Sequence, residues 1–234
     1  MRRQLDPKRQ QREATTAEQT RAALVQAALK LFGRQGFDGT STREIAAEAK
    51  ANIGSIAYHF GGKEGLRAAA ADFIVDTIQG VAGQALGGTQ AVAPLDPEAA
   101  RAQLFAALER MVGFVVASPH AGEIVQFVLR ELSHPTAALD RIYAGVFEPM
   151  HLRLCQIWEQ ATGEPAESEA TKLTVFTMIG QVIYFRIGRE AVMRRMGWRE
   201  IGEAEAAKVM AVAADNLKAM LATRDPVARK ESKS

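Results

Sequence analysis

Between positions 42 and 66 the chain reads TREIAAEAKANIGSIAYHFGGKEGL, and no other stretch narrows the fold as much. Apolar residues fall at Ile45, Ala46, Ala49, Ile53, Ile56 and Phe60. Within each half they recur every three or four residues, the spacing of a single buried helical face. Two short helices joined by a tight turn satisfy the pattern, and Lys63-Glu64 opens a third. Gly61-Gly62 suits a left-handed stop for the second helix. The polar residues left over are Arg43 on the first helix and Asn52, Ser55, Tyr58 and His59 on the second. A helix-turn-helix presents such residues to DNA.

In that motif the first helix crosses the phosphate backbone and the second enters the major groove. Thr42 is the expected N-cap of the first helix and Asn52 of the second, each offering an oxygen to a free backbone N–H. Glu44 and Glu48 complement the first helix dipole. Gly54 lets the backbone approach DNA, having no side chain to collide with it. Ile53 and Ala57 suit thymine methyls, while Tyr58 and His59 suit phosphate or a base edge. Lys63 supplies a point charge for phosphate. A three-helix packing unit with a polar wet face would share the pattern, with Tyr58 and His59 half-buried. Pattern, turn and charge together favour the DNA reader.

Residues 20–73 resemble the DNA-binding domain of TetR-family transcriptional regulators. The resemblance is carried by TRAALVQAALKLFGRQGFDGTS at 20–41, by IAAEA at 45–49, and by YHF-x-x-KEGL at 58–66. Two positions depart from the family. Lys50-Ala51 stands where a turn Gly-Val is usual, so the turn carries a modest strain if Lys50 takes φ > 0. Ala57 replaces a common aromatic, and the aromatic is Tyr58 instead. The C-terminal part is similar to the regulatory domain of a subgroup called CerR-like. The pieces that carry this are ANIGSIAYHFGGKEGL at 51–66, LREL-x-x-P at 129–135, GQVIYFRIGREAV at 180–192 and MGW at 196–198. That subgroup implies control of transporters and response to toxic small molecules.

Charge is divided unevenly along the 234 residues. Positions 1–70 hold twelve Lys/Arg against seven Asp/Glu, and the remainder seventeen against twenty. A head of +5 and a body of −3 point the head alone at a polyanion. Residues 1–19 read as a basic, disordered arm that either follows the minor groove or phosphates or has no role. Its first twelve residues lack an apolar core and are no secretory signal. No run approaches 18 apolar residues, so no membrane span is expected. The one cysteine, Cys155, fits a reducing cytoplasm.

The reading is all-α: a DNA-binding domain at 20–66, a connecting helix over about 63–85, a helical regulatory and dimerisation domain at 67–223, and a flexible tail at 224–234. A loop is expected near 86–97, where glycines and prolines cluster. Helical periodicity continues over 98–117, 119–133, 136–162, 166–190 and 203–223. Segment 172–187 is apolar nearly all round, marking a helix covered on several sides. Segment 203–223 carries an apolar stripe including Ala206, Val209, Met210, Ala213, Leu217, Met220 and Leu221.

By the family resemblance, the last two helices pair with their copies in a homodimer, with Phe176, Ile179, Ile183, Val209, Ala213 and Leu217 at the interface. Two recognition helices would then sit about one DNA turn apart. The same resemblance implies a small-molecule effector held in the body. Polar residues embedded in apolar stretches supply its candidate ligands: Gln126, Arg130, His134, His151, Gln181, Tyr184 and Arg186. Phe127, Trp158, Phe176 and Met178 are candidate walls. Each has a plain structural alternative, such as Arg130 paired with Glu131 or Glu123, Arg186 with Glu190, and Trp158 as core.

His151 and Cys155 stand four apart on a predicted helix but lack a third ligand, so no metal is expected. No cofactor is expected either. The chain has no GxSxG, and its GGK lacks the earlier glycine and the Ser/Thr of a phosphate loop. The expectation is a cytoplasmic, homodimeric, ligand-released repressor that binds double-stranded operator DNA and is not an enzyme. The alternatives are an activating or ligand-independent regulator, a small helical enzyme, and a protein adaptor that would leave the basic head unexplained.

Overall fold

The computed structural model describes residues 7–86, 95–119 and 121–224, and every regular element among them is helical. Eleven α-helices follow one another: α1 Pro7–Gln35, α2 Thr42–Glu48, α3 Gly54–Phe60, α4 Lys63–Leu86, α5 Pro97–Val112, α6 Ala121–Ser133, α7 Ala137–Ile142, α8 Glu148–Thr162, α9 Glu169–Ile187, α10 Arg189–Met196 and α11 Glu203–Ala222. Most of the expected loop near 86–97, the first six residues of the arm and the tail from 225 lie outside the described residues. Two compact units divide the chain, Met1–Val75 with Glu123–Ile142, and Asp76–Gly122 with Tyr143–Ser234. The boundary therefore falls inside α4, at the start of α6 and after α7.

In the first unit, the arm expected to be disordered is corrected from Pro7 onward, where α1 has already begun. The reason is local. Lys8 to Phe32 contains no Gly or Pro and is rich in Ala, Gln, Arg and Glu, all strong helix formers. Further along, Leu24, Val25, Ala28, Leu29 and Phe32 are buried, fixing the inward face. The same unit buries Ile45, Ile56, Leu66, Ala70 and Ile74 from α2 to α4, and Ile124, Phe127, Ala138 and Ile142 from α6 and α7.

Charged groups join α6 to the earlier helices. Arg67 donates to Glu131 Oε1 from Nε and a terminal nitrogen at 2.9 and 2.7 Å. The two side chains are only 13% and 4% exposed. Thr136 donates to the other Glu131 oxygen at 2.5 Å. Arg130 donates to the backbone carbonyls of Arg34 at 2.9 Å and Gly33 at 3.4 Å, capping the end of α1. Arg130 is thus not paired with Glu131 or Glu123.

The second unit packs α5, α8, α9 and α11 around Trp158, Ile157, Leu104, Val175 and Leu217, all 0–1% exposed. Trp158 donates its indole N–H to Glu164 at 3.0 Å, which also accepts from Arg224 at 3.0 Å. Three expected helices prove broken. Over 98–117, α5 ends at Val112 and a π-helical turn occupies Gly113–Ala117. Over 136–162, a second π segment at Tyr143–Phe147 separates α7 from α8. Pro149 explains this one. It has no N–H for the carbonyl of Gly145, and Gln79 donates to that carbonyl instead at 2.9 Å. Over 166–190, α9 stops at Ile187 and Gly188 separates it from α10.

Arg186 is likewise not bound to Glu190, which pairs with Arg194. Its guanidinium donates to the carbonyls of Val115 and Ser118, each at 2.6 Å, and so closes the end of the first π turn. Burial, followed by the charge of Arg189, pulls its pKa below the ordinary arginine value.

Nor is α9 covered all round. Leu173, Phe176, Tyr184 and Ile187 are each more than half exposed. Conversely Val209, Ala213 and Leu217, expected at a partner interface, are at most 4% exposed and belong to their own unit's core. A buried side chain has no surface left to give a second copy. Ile179 and Ile183 are partly buried against the same core. Among the described residues no single helix is long and apolar enough to cross a membrane.

Candidate DNA-binding site

Capping geometry positions α2. Its N-cap is Ser41, not Thr42, because Ser41 alone has extended backbone (φ −93°, ψ 153°) aiming its hydroxyl along the helix. Ser41 Oγ accepts from the Glu44 N–H at 3.1 Å, and the Glu44 carboxylate accepts from the Ser41 N–H at 2.7 Å. This is a capping box, and it frees Thr42 and Arg43 on the first turn. Hydrogen bonds from the backbone and hydroxyl of Ser41, then the charge of Lys63, hold the Glu44 carboxyl below the usual carboxylate value. At the other end of α2, Lys30 pairs with Glu48 and ties α1 to it. That hydrogen bond and charge lower the Glu48 pKa.

The turn into α3 does what the departure from Gly-Val requires. Lys50 has φ 52°, the one positive value at a non-glycine among the described residues. Around it, the Ala51 N–H donates to Ala46 at 2.9 Å and the Lys50 N–H to Ala47 at 3.1 Å, a Schellman closure. Left-handed backbone strains an L-residue by about 1–2 kcal/mol, while glycine loses about 0.5–1 kcal/mol more entropy on folding. Lys50→Gly should therefore stabilise by a net amount of about 0.5–1 kcal/mol, read as a rise of about 2 °C in melting temperature.

α3 is seven residues long, with one face inward and the rest open. Ile56 is 2% exposed, while Ile53 is 49% and Tyr58 83% exposed. Asn52, Gly54 and Ala57 are exposed, and Thr42, Ser55 and His59 half-buried. The N-cap of α3 is Ile53, in helical backbone and without a side-chain cap bond. Asn52, expected as the cap, lies one residue earlier, its Oδ1 accepting from the Gly54 N–H at 2.8 Å. Tyr58 and His59 meet edge to face with centroids 4.9 Å apart. Gly61 (φ 71°) stops the helix in left-handed backbone.

α4 then begins at Lys63, whose ammonium lies 4.1 Å from the centroid of the Phe37 ring. The guanidinium of Arg67 lies 4.6 Å from the same ring. One aromatic thus carries two cations a helical turn apart, which the buried carboxylate of Glu131 partly balances. The ten residues expected to meet DNA are gathered on α2, the turn before α3, α3 itself and the first residue of α4. Sequence reasoning missed Ser41, Phe37, Arg67 and Glu131. A Ser-x-x-Glu signature marked the first; nothing local marks Glu131, which lies 64 positions from its partner.

The residues expected to hold an effector are divided between the two units. Gln126, Phe127, Arg130 and His134 lie on or just after α6 in the first unit, with Phe127 buried. Trp158, Phe176, Gln181 and Tyr184 lie in the second, where Trp158 is fully buried and Phe176 and Tyr184 are exposed. His151 stacks on Phe176 with centroids 4.0 Å apart and meets Cys155 Sγ at 3.7 Å. Burial pushes the Cys155 thiol up, assisted by the charge of Glu167. A shallow groove of about 320 Å³ on the second unit is lined by Thr177, Met178, Gln181, Asn216, Ala219 and Met220.

Comparison with known proteins matches the head and the C-terminal part of the chain separately. Residues 24–70 match the family described as bacterial regulatory proteins, tetR family. Residues 100–224 match the C-terminal domain of HTH-type transcriptional dual regulator CecR. The chain is 33% identical over 189 residues to the CecR regulator of Shigella flexneri, spanning 80% of this chain and 84% of that one. Over a shorter stretch of 47 residues it is 47% identical to the probable HTH-type regulator YttP of Bacillus subtilis, covering 20% and 23% of the two chains.

Solved structures share the fold. A transcriptional regulator from Pseudomonas aeruginosa PAO1 superposes with TM-score 0.59 at 21% identity, covering 86% of this chain and 91% of its own. AibR, solved with isovaleryl coenzyme A and operator DNA, gives 0.60 at 17% identity, with 88% and 98% covered. The subgroup expected as CerR-like is thus that of CecR. A helix-turn-helix head matched over residues 24–70, followed by a CecR-type helical region matched over 100–224, makes this chain a member of the TetR family of bacterial transcriptional regulators.

Proposed function

We propose that the chain is a cytoplasmic, homodimeric repressor whose two α3 helices read a palindromic operator in adjacent major grooves, and which a small molecule releases. The observation that carries this reading is the open face of α3, where an isoleucine and a tyrosine remain largely solvent-exposed beside Asn52 and Gly54. Ile53, Gly54 and Ala57 lie against base edges and methyl groups. Tyr58, His59 and Ser55 hydrogen-bond bases or phosphates, and Thr42, Arg43 and Lys63 take phosphates on either side. Asn52 holds the start of α3 in place. A single head reads few base pairs, and a two-fold dimer doubles the site.

The effector reading draws on the subgroup, on AibR, which was solved with both an acyl coenzyme A and DNA, and on the candidate residues of α6, α8 and α9. A ligand releases DNA only by binding the DNA-incompetent arrangement more tightly than the competent one. A transporter for toxic small molecules is the regulated target that the subgroup suggests. An activator would use the same head.

Lys63→Ala tests the phosphate assignment. It should weaken binding to all sequences alike and reduce the slope of log affinity against log salt by about 1 per head. An unchanged slope would remove Lys63 from the contacts. Tyr58→Phe and His59→Ala should instead change the ranking of operator variants, by about 1–3 kcal/mol at the base each one reads. Uniform losses across the variants would leave both residues as positioning groups.

A further inference from the structure

We propose that Gln181 on α9 and Asn216 on α11 form a polar lock that sets the register and partner choice of the homodimer. This rests on the dimer reading above. The exposed face of α9 carries Leu173, Phe176, Tyr184 and Ile187 at 57, 58, 58 and 52% exposure, spaced so that they share one side of the helix. Val212 on α11 is 62% exposed. An apolar stripe of this kind drives association but does not choose a register, because sliding by a turn buries much the same area.

Beside the stripe, Asn216 Nδ2 donates to Gln181 Oε1 at 2.9 Å. The pair sits in the shallow groove between Thr177 and Met178 on one side and Ala219 and Met220 on the other. Among the described residues Gln181 Nε2 and Asn216 Oδ1 make no hydrogen bond, which leaves one amide donor group and one acceptor facing outward. A face offering both is complementary to its own copy about a two-fold axis. Water satisfies the two groups in the free chain. Once a partner covers the groove, each needs a protein partner or becomes a buried unsatisfied group. In the aligned register the donor of one copy meets the acceptor of the other. In a slipped register, or against a related regulator with apolar residues at these positions, both are buried unpaired. The second copy of this chain is therefore the occupant that the face selects.

Equilibrium sedimentation and native mass spectrometry of the full chain test the lock. Wild type should give a single dimeric species. N216L strands Gln181 at the interface and should weaken dimerisation about tenfold. Q181L N216L removes both polar groups, and should regain wild-type affinity or better while populating more than one oligomeric state. A double variant that dimerises as weakly as N216L or more weakly, or one that remains one clean dimer, would overturn the lock and leave the dimer standing. So would a lowered melting temperature with an unchanged dissociation constant, since that is the signature of a bond serving only its own chain. A monomeric wild type would overturn the dimer reading itself.

Discussion

Glu131→Leu should destabilise the first unit by about 3–5 kcal/mol, the largest effect of any single substitution considered for this chain. The carboxylate is 4% exposed and is the acceptor for both Arg67 nitrogens and for the Thr136 hydroxyl. Removing it strands the Arg67 guanidinium, only 13% exposed, with the Phe37 ring as its remaining partner. The loss is the price of an uncompensated buried charge rather than the worth of the pair. Arg67→Met combined with Glu131→Leu should therefore recover most of the stability, because well-packed apolar replacements of buried pairs are often neutral. Hydrogen exchange resolves the effect by unit. Protection should fall across α1 to α3, while the fluorescence of Trp158 and Trp198, both in the second unit, serves as the internal reference. Unchanged protection would mean that α6 is no part of the head's stability.

Gly65→Ala should cost about 2–3 kcal/mol and abolish operator binding with it. A Cβ at Gly65 would lie 1.9 Å from the Phe60 carbonyl oxygen, and that atom is backbone, with no side chain to swing aside. The connection from α3 to α4 turns so tightly that only a hydrogen fits. Relieving the overlap has to move the end of α3 or the start of α4, and thus Tyr58 and His59 relative to Lys63. Gly80, in the same helix, is the control, since a Cβ there meets nothing within 4 Å. Gly80→Ala should stabilise by about 0.5–1 kcal/mol, as alanine normally does inside a helix. Equal behaviour of the two variants in thermal melts and gel shifts would refute the close approach.

The head was the part of the chain most legible in sequence, because its information is local. Spacing of apolar residues placed α2 and α3, and the departure at Lys50 correctly marked a strained turn. Two adjacent hydroxyls, Ser41 and Thr42, compete for the cap, and Ser41 takes it because it stands three residues before Glu44. Pairings across long separations were not legible. The grouping of α6 and α7 with the head depends on Arg130 meeting carbonyls 96 and 97 positions away and on Arg67 meeting Glu131.

The apolar stripe of α11 shows a different limit. Its period established a buried face but could not say what buries it, and Val209, Ala213 and Leu217 turned out to serve the monomer's own core. The breaks at Tyr143–Phe147 and Gly188 lie inside runs whose periodicity continues through them, so only Pro149 and the glycine hinted at either. The candidate effector residues are polar groups within apolar stretches. Several of those groups instead satisfy backbone carbonyls, as Arg130 and Arg186 do. Family membership sets aside the small-enzyme alternative.

The central claim is that the open face of α3 reads DNA sequence, and a competed gel-shift titration measures it most directly. Purified full-length protein is titrated against the DNA upstream of its own gene, with random DNA of equal length as competitor. Saturable binding that survives a large excess of competitor, and that Tyr58→Phe or His59→Ala re-ranks among operator variants, is the predicted result. Binding that the random competitor abolishes at every candidate site in the genome would contradict it, leaving a head that holds phosphates without reading bases.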